Sequence, residues 1–248
     1  MSHFAENLGK LPQERPHRNG KGYGGGGNRR GGGRRPRNTE VFEPPKKPCD
    51  LRVVIDTSKD TLKTQLKESD LLYIPNLFPE HEPGEIFRMI TEEISRFDVK
   101  KEWHEASHEI ADDRAGVNWK NECPTFQMAV DRIEQYFNMD IKATRLNFYR
   151  PNGKDWKPLH HDAAAIKRDK ARTQNFTVAI SFGDTRSAFF EKTGSRTTIE
   201  LPCPDNSAYC FSAKANKEWK HGILPAKEEE TNGRISIIAW GWVAQDCA

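Results

Sequence analysis

The sequence predicts a mainly β domain with flanking helices, set behind a disordered Gly/Arg-rich N-terminal tail. Three observations carry this. From about residue 143 the chain is a series of short β-branched and aromatic runs separated by Gly, Pro, Asp and Asn, the texture of an antiparallel sandwich or barrel. Ahead of these runs lie two apolar stripes at helical spacing. Ahead of both, "GKGYGGGGNRRGGGRRPRN" (20–38) is low in complexity and holds almost nothing that could be buried, so the backbone entropy of its glycines is not offset.

The tail also holds the positive charge. Residues 1–48 carry 11 Lys/Arg against 4 Asp/Glu, leaving 28 against 32 in 49–248, so the overall +3 conceals a tail of +7 and a body of −4. Arg-Gly tracts of this kind resemble the RGG segments of RNA-binding proteins, where arginine pairs with phosphate and stacks on bases. A flexible solubilising tail is the alternative. "RRGGGRRPR" also fits a weak nuclear import signal. The N-terminus has no apolar signal region and no apolar run approaches the length of a membrane span, so neither secretion nor a membrane is expected. Five scattered cysteines (Cys49, Cys123, Cys203, Cys210, Cys247) form no C-x-x-C pair. They read as reduced thiols in an intracellular protein, cytoplasmic or nuclear, rather than a disulfide framework or zinc ribbon.

Folded structure is expected from about Cys49. "LRVVI" reads as a strand, and "DLLYIPNLF" (70–78) as a second that ends at Pro79. From Pro83, the spacing of Ile86, Phe87, Ile90, Ile94 and Phe97 predicts a helix with one apolar stripe. Pro124 opens another, with Phe126, Val130, Ile133 and Phe137 on its buried side. "ATRLNFY", "NFTVAISF", "SAFFEK", "RTTIEL", "SAYCFS" and "RISIIAWGWV" follow as strands.

Within this β half, "PLHHDAAAIK" (158–167) carries the first chemistry. Strand alternation puts His160 and Asp162 on one face and turns His161 to the other. "NKEWKHGILP" supplies a third donor, His221. Two histidines and a carboxylate on one side of a metal leave three positions open, the facial triad of non-haem Fe(II) oxygenases. Alone, H-x-D is weak evidence that arises by chance, and a surface His–Asp pair is the favoured reading. The sequence after it favours the metal: thirteen residues past His221, "GRISIIAW" places Arg234 on an apolar strand. A buried arginine there is costly unless it meets an anion. A guanidinium grips a carboxylate through parallel hydrogen bonds, and the distal carboxylate of 2-oxoglutarate is such a partner; a carboxylate of the chain itself is the other candidate.

"RLNFYRPNGKDWKPLHHD", "VAISFGDTRSAFF", "WKHGILP" and "GRISIIAW", in this order, resemble successive signatures of the AlkB-like Fe(II)/2-oxoglutarate-dependent dioxygenases over roughly 120 to 243. The resemblance implies a double-stranded β-helix (jelly roll) core. It divides the chain into the tail (1–48), an N-terminal extension and substrate lid (49–140) and a catalytic jelly roll (141–248). It implies Fe(II), 2-oxoglutarate as cosubstrate and O2. His160, Asp162 and His221 are then the iron ligands, Asn147 and Tyr149 bond 2-oxoglutarate, and Arg234 clamps its distal carboxylate. No catalytic residue beyond the metal ligands is implied.

Two departures stand out. The family places a second arginine six positions after the first, where this chain has Trp240; the expectation is that Trp240 packs and another polar group, Ser236 among the candidates, substitutes. Base-repairing members carry an acid just after H-x-D that contacts the extruded base, where this chain has Ala163, Ala164 and Ala165. Trp103, His104, Trp119 and Trp156 fall where the family's substrate lid and cap lie, and an aromatic among them could stack on a flipped base. The implied activity is oxidative demethylation of N-methylated bases in RNA, favoured by the tail, or DNA. Protein hydroxylation or demethylation, and an RNA-binding module weakened in turnover at Trp240, are the alternatives.

Overall fold

The computed structural model of the protein describes residues 50–103, 106–113, 116–227 and 232–244. The Gly/Arg tail, Cys49, Cys247 and His104 lie outside them. The N-terminal part runs β1 (Arg52–Ile55), β2 (Asp70–Ile74), α1 (Glu85–Ile94), β3 (Lys100–Trp103), β4 (His108–Ala111), α2 (Trp119–Glu122) and α3 (Pro124–Phe137). The β half runs β5 (Met139–Tyr149), β6 (Lys157–His160), α4 (Arg168–Ala171), β7 (Phe176–Gly183), β8 (Arg186–Lys192) and β9 (Thr198–Cys203). It ends with β10 (Ala208–Ser212), α5 (Ala213–Glu218), β11 (Trp219–Ile223) and β12 (Arg234–Val243).

These strands make two sheets, ordered β1-β2-β10-β7-β12-β5-β4-β3 and β6-β11-β8-β9. From β5 to β12 the chain passes back and forth between them, four strands to each. That is the double-stranded β-helix, or jelly roll. β1 pairs with β2 in parallel, and the β3–β4 hairpin extends the far edge of the larger sheet.

Side-chain alternation sorts the larger sheet into two layers. On β12, Ile235, Ile237 and Ala239 face outward into a core closed by Ile86, Ile90, Phe126 and Ile133 of α1 and α3. Ile238 faces the other way, into the space between the sheets with Phe190, Phe211 and Trp219. Arg234, Ser236 and Trp240 share its parity, as Asn147 and Tyr149 do on β5 and Thr177 and Ser181 on β7. The helical stripes therefore serve the outer core, and the polar residues of β5, β7 and β12 are delivered inward.

Two carboxylates lock the helical layer in place. Glu93 of α1 accepts from the Thr125 backbone N–H at 3.0 Å, joining α1 to the start of α3. Asp205 accepts from Gly84 N–H and from Gly183 N–H, both at 2.7 Å, tying the head of α1 to the end of β7.

The element boundaries differ from expectation in three places. β2 stops at Ile74 rather than Phe78, because Pro75 has no N–H to offer the ladder; Leu77 and Phe78 are buried all the same. α1 stops at Ile94, with Phe97 packed against the core beyond it. β3 and β4 have no counterpart in the sequence reading, since "KKEW" is exposed or half-buried and polar.

Candidate metal centre and its pocket

His160 and His221 face each other across the β6–β11 ladder as direct register partners. Their rings lie 4.3 Å apart, centre to centre. Asp162 follows β6 in extended conformation (φ −65°, ψ 155°), so strand alternation carries past the last ladder bond and brings its carboxylate beside them. One oxygen, Oδ1, is 3.6 Å from Nε2 of each histidine. All three side chains are buried, and one ligand atom from each can be chosen within 4.8 Å of the others. Burial, with the Lys157 and His221 charges behind it, pushes His160 down to about 3, leaving a neutral imidazole at neutral pH. Burial alone would raise the Asp162 carboxyl, but the two imidazoles hold it well below the usual range. A neutral imidazole and an ionised carboxylate are the forms that ligate a metal.

Each group is oriented by a different neighbour. His160 Nδ1–H donates to the Pro158 carbonyl at 2.9 Å, which leaves the Nε2 lone pair for a metal. His221 is held by packing, with its ring 4.7 Å from that of Phe211 and 6.0 Å from that of Phe190. The second Asp162 oxygen, Oδ2, accepts from Thr177 Oγ1 at 3.1 Å and from Trp240 Nε1–H at 2.8 Å. Trp240 therefore does more than pack, which corrects the expectation for that position: it fixes which carboxylate oxygen is left for the metal. His161 turns away as expected, to the Asn216 carbonyl of α5, and the Asn216 side chain accepts from the Asp162 N–H at 2.8 Å.

Deeper between the sheets is a cluster of unmet donors. Arg234 is 1 % exposed; its Nη2 donates to Ser181 Oγ at 2.7 Å, while Nε and Nη1 have no partner. Its guanidinium sits 4.8 Å from the centre of the Tyr149 ring. Burial pushes the Tyr149 hydroxyl up to about 12, although Arg234 opposes this. Asn147 is fully buried, with neither end of its amide bonded. Arg186, at the start of β8, is equally buried with no partner for any of its three nitrogens, and Arg234 is the largest charge acting on it. No sequence argument singled out Arg186, yet the one applied to Arg234, a cation opening an apolar strand, fits it as well.

A cavity of about 210 Å³ reaches the metal cluster, with His160 and Asp162 in its wall. Arg145 and Lys157 line it too. Arg145 shares its face of β5 with Asn147 and Tyr149, and its guanidinium lies 4.7 Å from the Trp103 ring and 5.6 Å from the Trp240 ring. Lys157 points inward because β6 bulges: its three steps from Lys157 to His160 lie opposite only two steps, from His221 to Ile223, on β11. A bulge re-aims a side chain in this way. Burial lowers the Lys157 ammonium to about 8, with Asp162 opposing. Of the aromatics expected near a substrate, Trp103 lines the cavity. Trp119 is instead core, edge-on to Phe126 at 4.9 Å; Trp156, half-buried, is not in the cavity wall.

Several known proteins are similar to parts of this chain. The chain is 25 % identical over 114 residues to the uncharacterized protein R406 of Acanthamoeba polyphaga mimivirus, covering 46 % of this chain and 56 % of the relative, so it spans about half the length of the curated relative it matches. Among solved structures, OsALKBH1 shares 18 % identity over 40 % of this chain and 47 % of its own, at a TM-score of 0.33. SnoN, a non-heme alpha ketoglutarate dependent epimerase from nogalamycin biosynthesis, shares 14 % over 70 % and 78 %, at 0.47. The sequence pattern of one superfamily runs through residues 80–239, from the head of α1 almost to the end of β12, and takes in the His–Asp–His cluster and both buried arginines. By that match the chain belongs to the 2OG-Fe(II) oxygenase superfamily.

Proposed function

We propose that the protein is an AlkB-like 2-oxoglutarate-dependent dioxygenase that oxidatively demethylates N-methylated bases in nucleic acid, with RNA ahead of DNA. The observation that carries the enzymatic part is the pairing of two features within one jelly roll. A buried His160–Asp162–His221 cluster is poised as ligand, and next to it lie buried donors that only an anion would satisfy. Iron(II) fits the cluster, since two imidazoles and a monodentate carboxylate leave positions open. 2-Oxoglutarate fits the donors: Arg234 and Arg186 toward its distal carboxylate, with Asn147 and Tyr149 along its length. Together these two groups supply the oxidising power, drawn from O2, that converts a substrate C–H to C–OH; on an N-methyl group the product then loses formaldehyde.

The residues of the chain do the rest. His160 stays neutral in its buried setting, Trp240 and Thr177 hold the Asp162 carboxylate in one orientation, and the two sheets exclude water from around the metal. That hydrogen bond speaks against the binding-module reading, because Trp240 supports a metal ligand rather than disrupting it. The nucleic-acid part is supported by the AlkB-like order of motifs and by the Arg-Gly tract at 20–38. The cavity beside the metal, about 210 Å³ and flanked by Trp103, is of a size to admit one flipped base.

The test is formaldehyde release. The full chain, with Fe(II), 2-oxoglutarate and ascorbate, is offered methylated RNA, methylated DNA and methylated histone-type peptides. Formaldehyde from an oligonucleotide and not from a peptide is the expected result. Release from the peptides alone moves the assignment to a protein demethylase.

A further inference from the structure

The cavity that reaches the metal is lined by two cations whose N–H donors are unused. Arg145 is held by its contacts with the Trp103 and Trp240 rings, which engage the cation and leave its hydrogen-bond donors open. Lys157 is turned into the same cavity by the β6 bulge and is 6 % exposed. Among the described residues neither side chain has a hydrogen-bond or ion-pair partner. No carboxylate in the cavity wall bonds to either, although Asp162 acts on both through its charge and Asp113 on Arg145. Asp162 is committed to the metal cluster, Thr177 and Trp240, and Asp113 is exposed and paired with Lys120 at 2.9 Å. Ala163, the first residue after the H-x-D, lines the wall with an apolar side chain.

Such a wall has a definite chemical preference. It offers donors and positive charge, from Lys170 as well as Arg145 and Lys157, and holds no unpaired carboxylate as counter-ion for a cation; its side-chain acceptors are the neutral Thr144 and Gln174. Four bases that carry a methyl on a Watson–Crick ring nitrogen differ on this point. 1-Methyladenine and 3-methylcytosine are positively charged at neutral pH and present an exocyclic amino group beside the methyl. 3-Methyluracil and 3-methylthymine are neutral and present a carbonyl on each side of it. Two desolvated cations repel the first pair and hydrogen-bond the second.

We infer that the cavity selects bases with a carbonyl on each side of the methyl, N3-methylated uracil or thymine, with Arg145 and Lys157 as the specificity-determining residues. This rests on the nucleobase reading proposed above. The methyl would then face the metal with one carbonyl toward each cation.

The experiment measures binding as well as turnover. The full chain is loaded with Mn(II) and 2-oxoglutarate without O2. Fluorescence anisotropy then gives its affinity for oligonucleotides of one sequence carrying a single 3-methyluridine, 1-methyladenosine, 3-methylcytidine or no methyl. The 3-methyluridine strand is expected to bind at least about tenfold more tightly than either cationic base. Lys157→Met and Arg145→Met should each shrink that ratio to about threefold or less, whereas Arg145→Lys, which keeps a cationic donor, should retain most of it. The same ranking is expected in formaldehyde release with Fe(II) and O2. Tighter binding of the cationic bases, or a preference that neither methionine variant alters, overturns the inference and leaves base demethylation standing. If no methylated strand is distinguished from the unmethylated one, in binding or release, while 2-oxoglutarate is still consumed, the nucleobase reading itself fails and the selectivity with it.

Discussion

Trp240 shows how a single residue can be legible in the sequence as a departure yet not in its role. Its position, six after Arg234, marks it as unusual; only the fold reveals that its indole N–H reaches the Asp162 carboxylate at 2.8 Å. Trp240→Phe keeps the ring and removes the donor. Groups that orient a metal ligand typically change metal affinity by about 10–100-fold when lost, so apparent Fe(II) affinity should fall by about that factor with circular dichroism unchanged. An unaltered Fe(II) titration would return Trp240 to a packing role. Arg186 was legible by the reasoning that found Arg234, since a cation opening an apolar strand asks for an anion wherever it occurs. Arg186→Met should raise the KM for 2-oxoglutarate by about 10–100-fold, the range for a hydrogen bond to a charged group. It should also raise the Tm of the protein free of iron and cosubstrate, because it removes a buried charge lying beside Arg234. A raised Tm with an unchanged KM would show that Arg186 does not meet the cosubstrate.

At the level of elements, strand alternation was sufficient where the strands are regular. It separated His160 and Asp162 from His161, and it groups Arg145, Asn147 and Tyr149 on one face of β5. It fails at β6, where counting by twos from His160 turns Lys157 outward. The bulge that reverses this depends on pairing with β11, a strand some sixty residues away, so it has no local signature. Gly222 is what allows the close pairing: a Cβ there would stand 2.5 Å from the Lys157 carbonyl oxygen and 3.2 Å from Leu159 N. Gly222→Ala must therefore displace β6, at a cost of about 1–3 kcal/mol by analogy with overpacked cores. His160 and Lys157 should move with it. The variant is expected to lose Fe(II) binding while keeping its β-sheet circular dichroism; wild-type Fe(II) affinity would show that the backbone contact does not set the ligand geometry. The β3–β4 hairpin was equally hidden, because β3 is polar and mostly exposed, and β4, though mostly buried, is only four residues long and joins the sheet through backbone bonds that composition does not report.

Across the whole molecule, the order of short apolar strands was enough to predict two sheets with helices outside, since each strand's alternation serves one interior and one exterior layer. What it could not provide was the anchoring of the N-terminal part, which rests on specific acids. Asp56 is buried and accepts from Ser58 N–H at 2.8 Å, Thr64 N–H at 3.2 Å and Tyr136 O–H at 2.8 Å, joining the loop after β1 to the end of α3. Burial opposes its ionisation, but these hydrogen bonds prevail and hold the carboxyl down at about 2. A carboxyl lowered on folding stabilises the native state above its unfolded pKa, near 4, and that contribution is lost as pH falls through the folded value. Stability should therefore decline between about pH 4 and pH 2. In Asp56→Asn that part of the decline should be absent, and the Tm at neutral pH should already be lower; an identical acid profile would remove Asp56 from the account.

The central claim is that His160, Asp162 and His221 hold iron in a centre that consumes 2-oxoglutarate. Its most direct test is Fe(II)-dependent succinate formation from 2-oxoglutarate by the wild type and by His160→Ala, Asp162→Ala and His161→Ala, each confirmed folded by circular dichroism. Succinate is expected from the wild type and from His161→Ala, and none above background from the other two. A folded His160→Ala or Asp162→Ala that forms succinate at the wild-type rate, or a wild type that forms none, would contradict it.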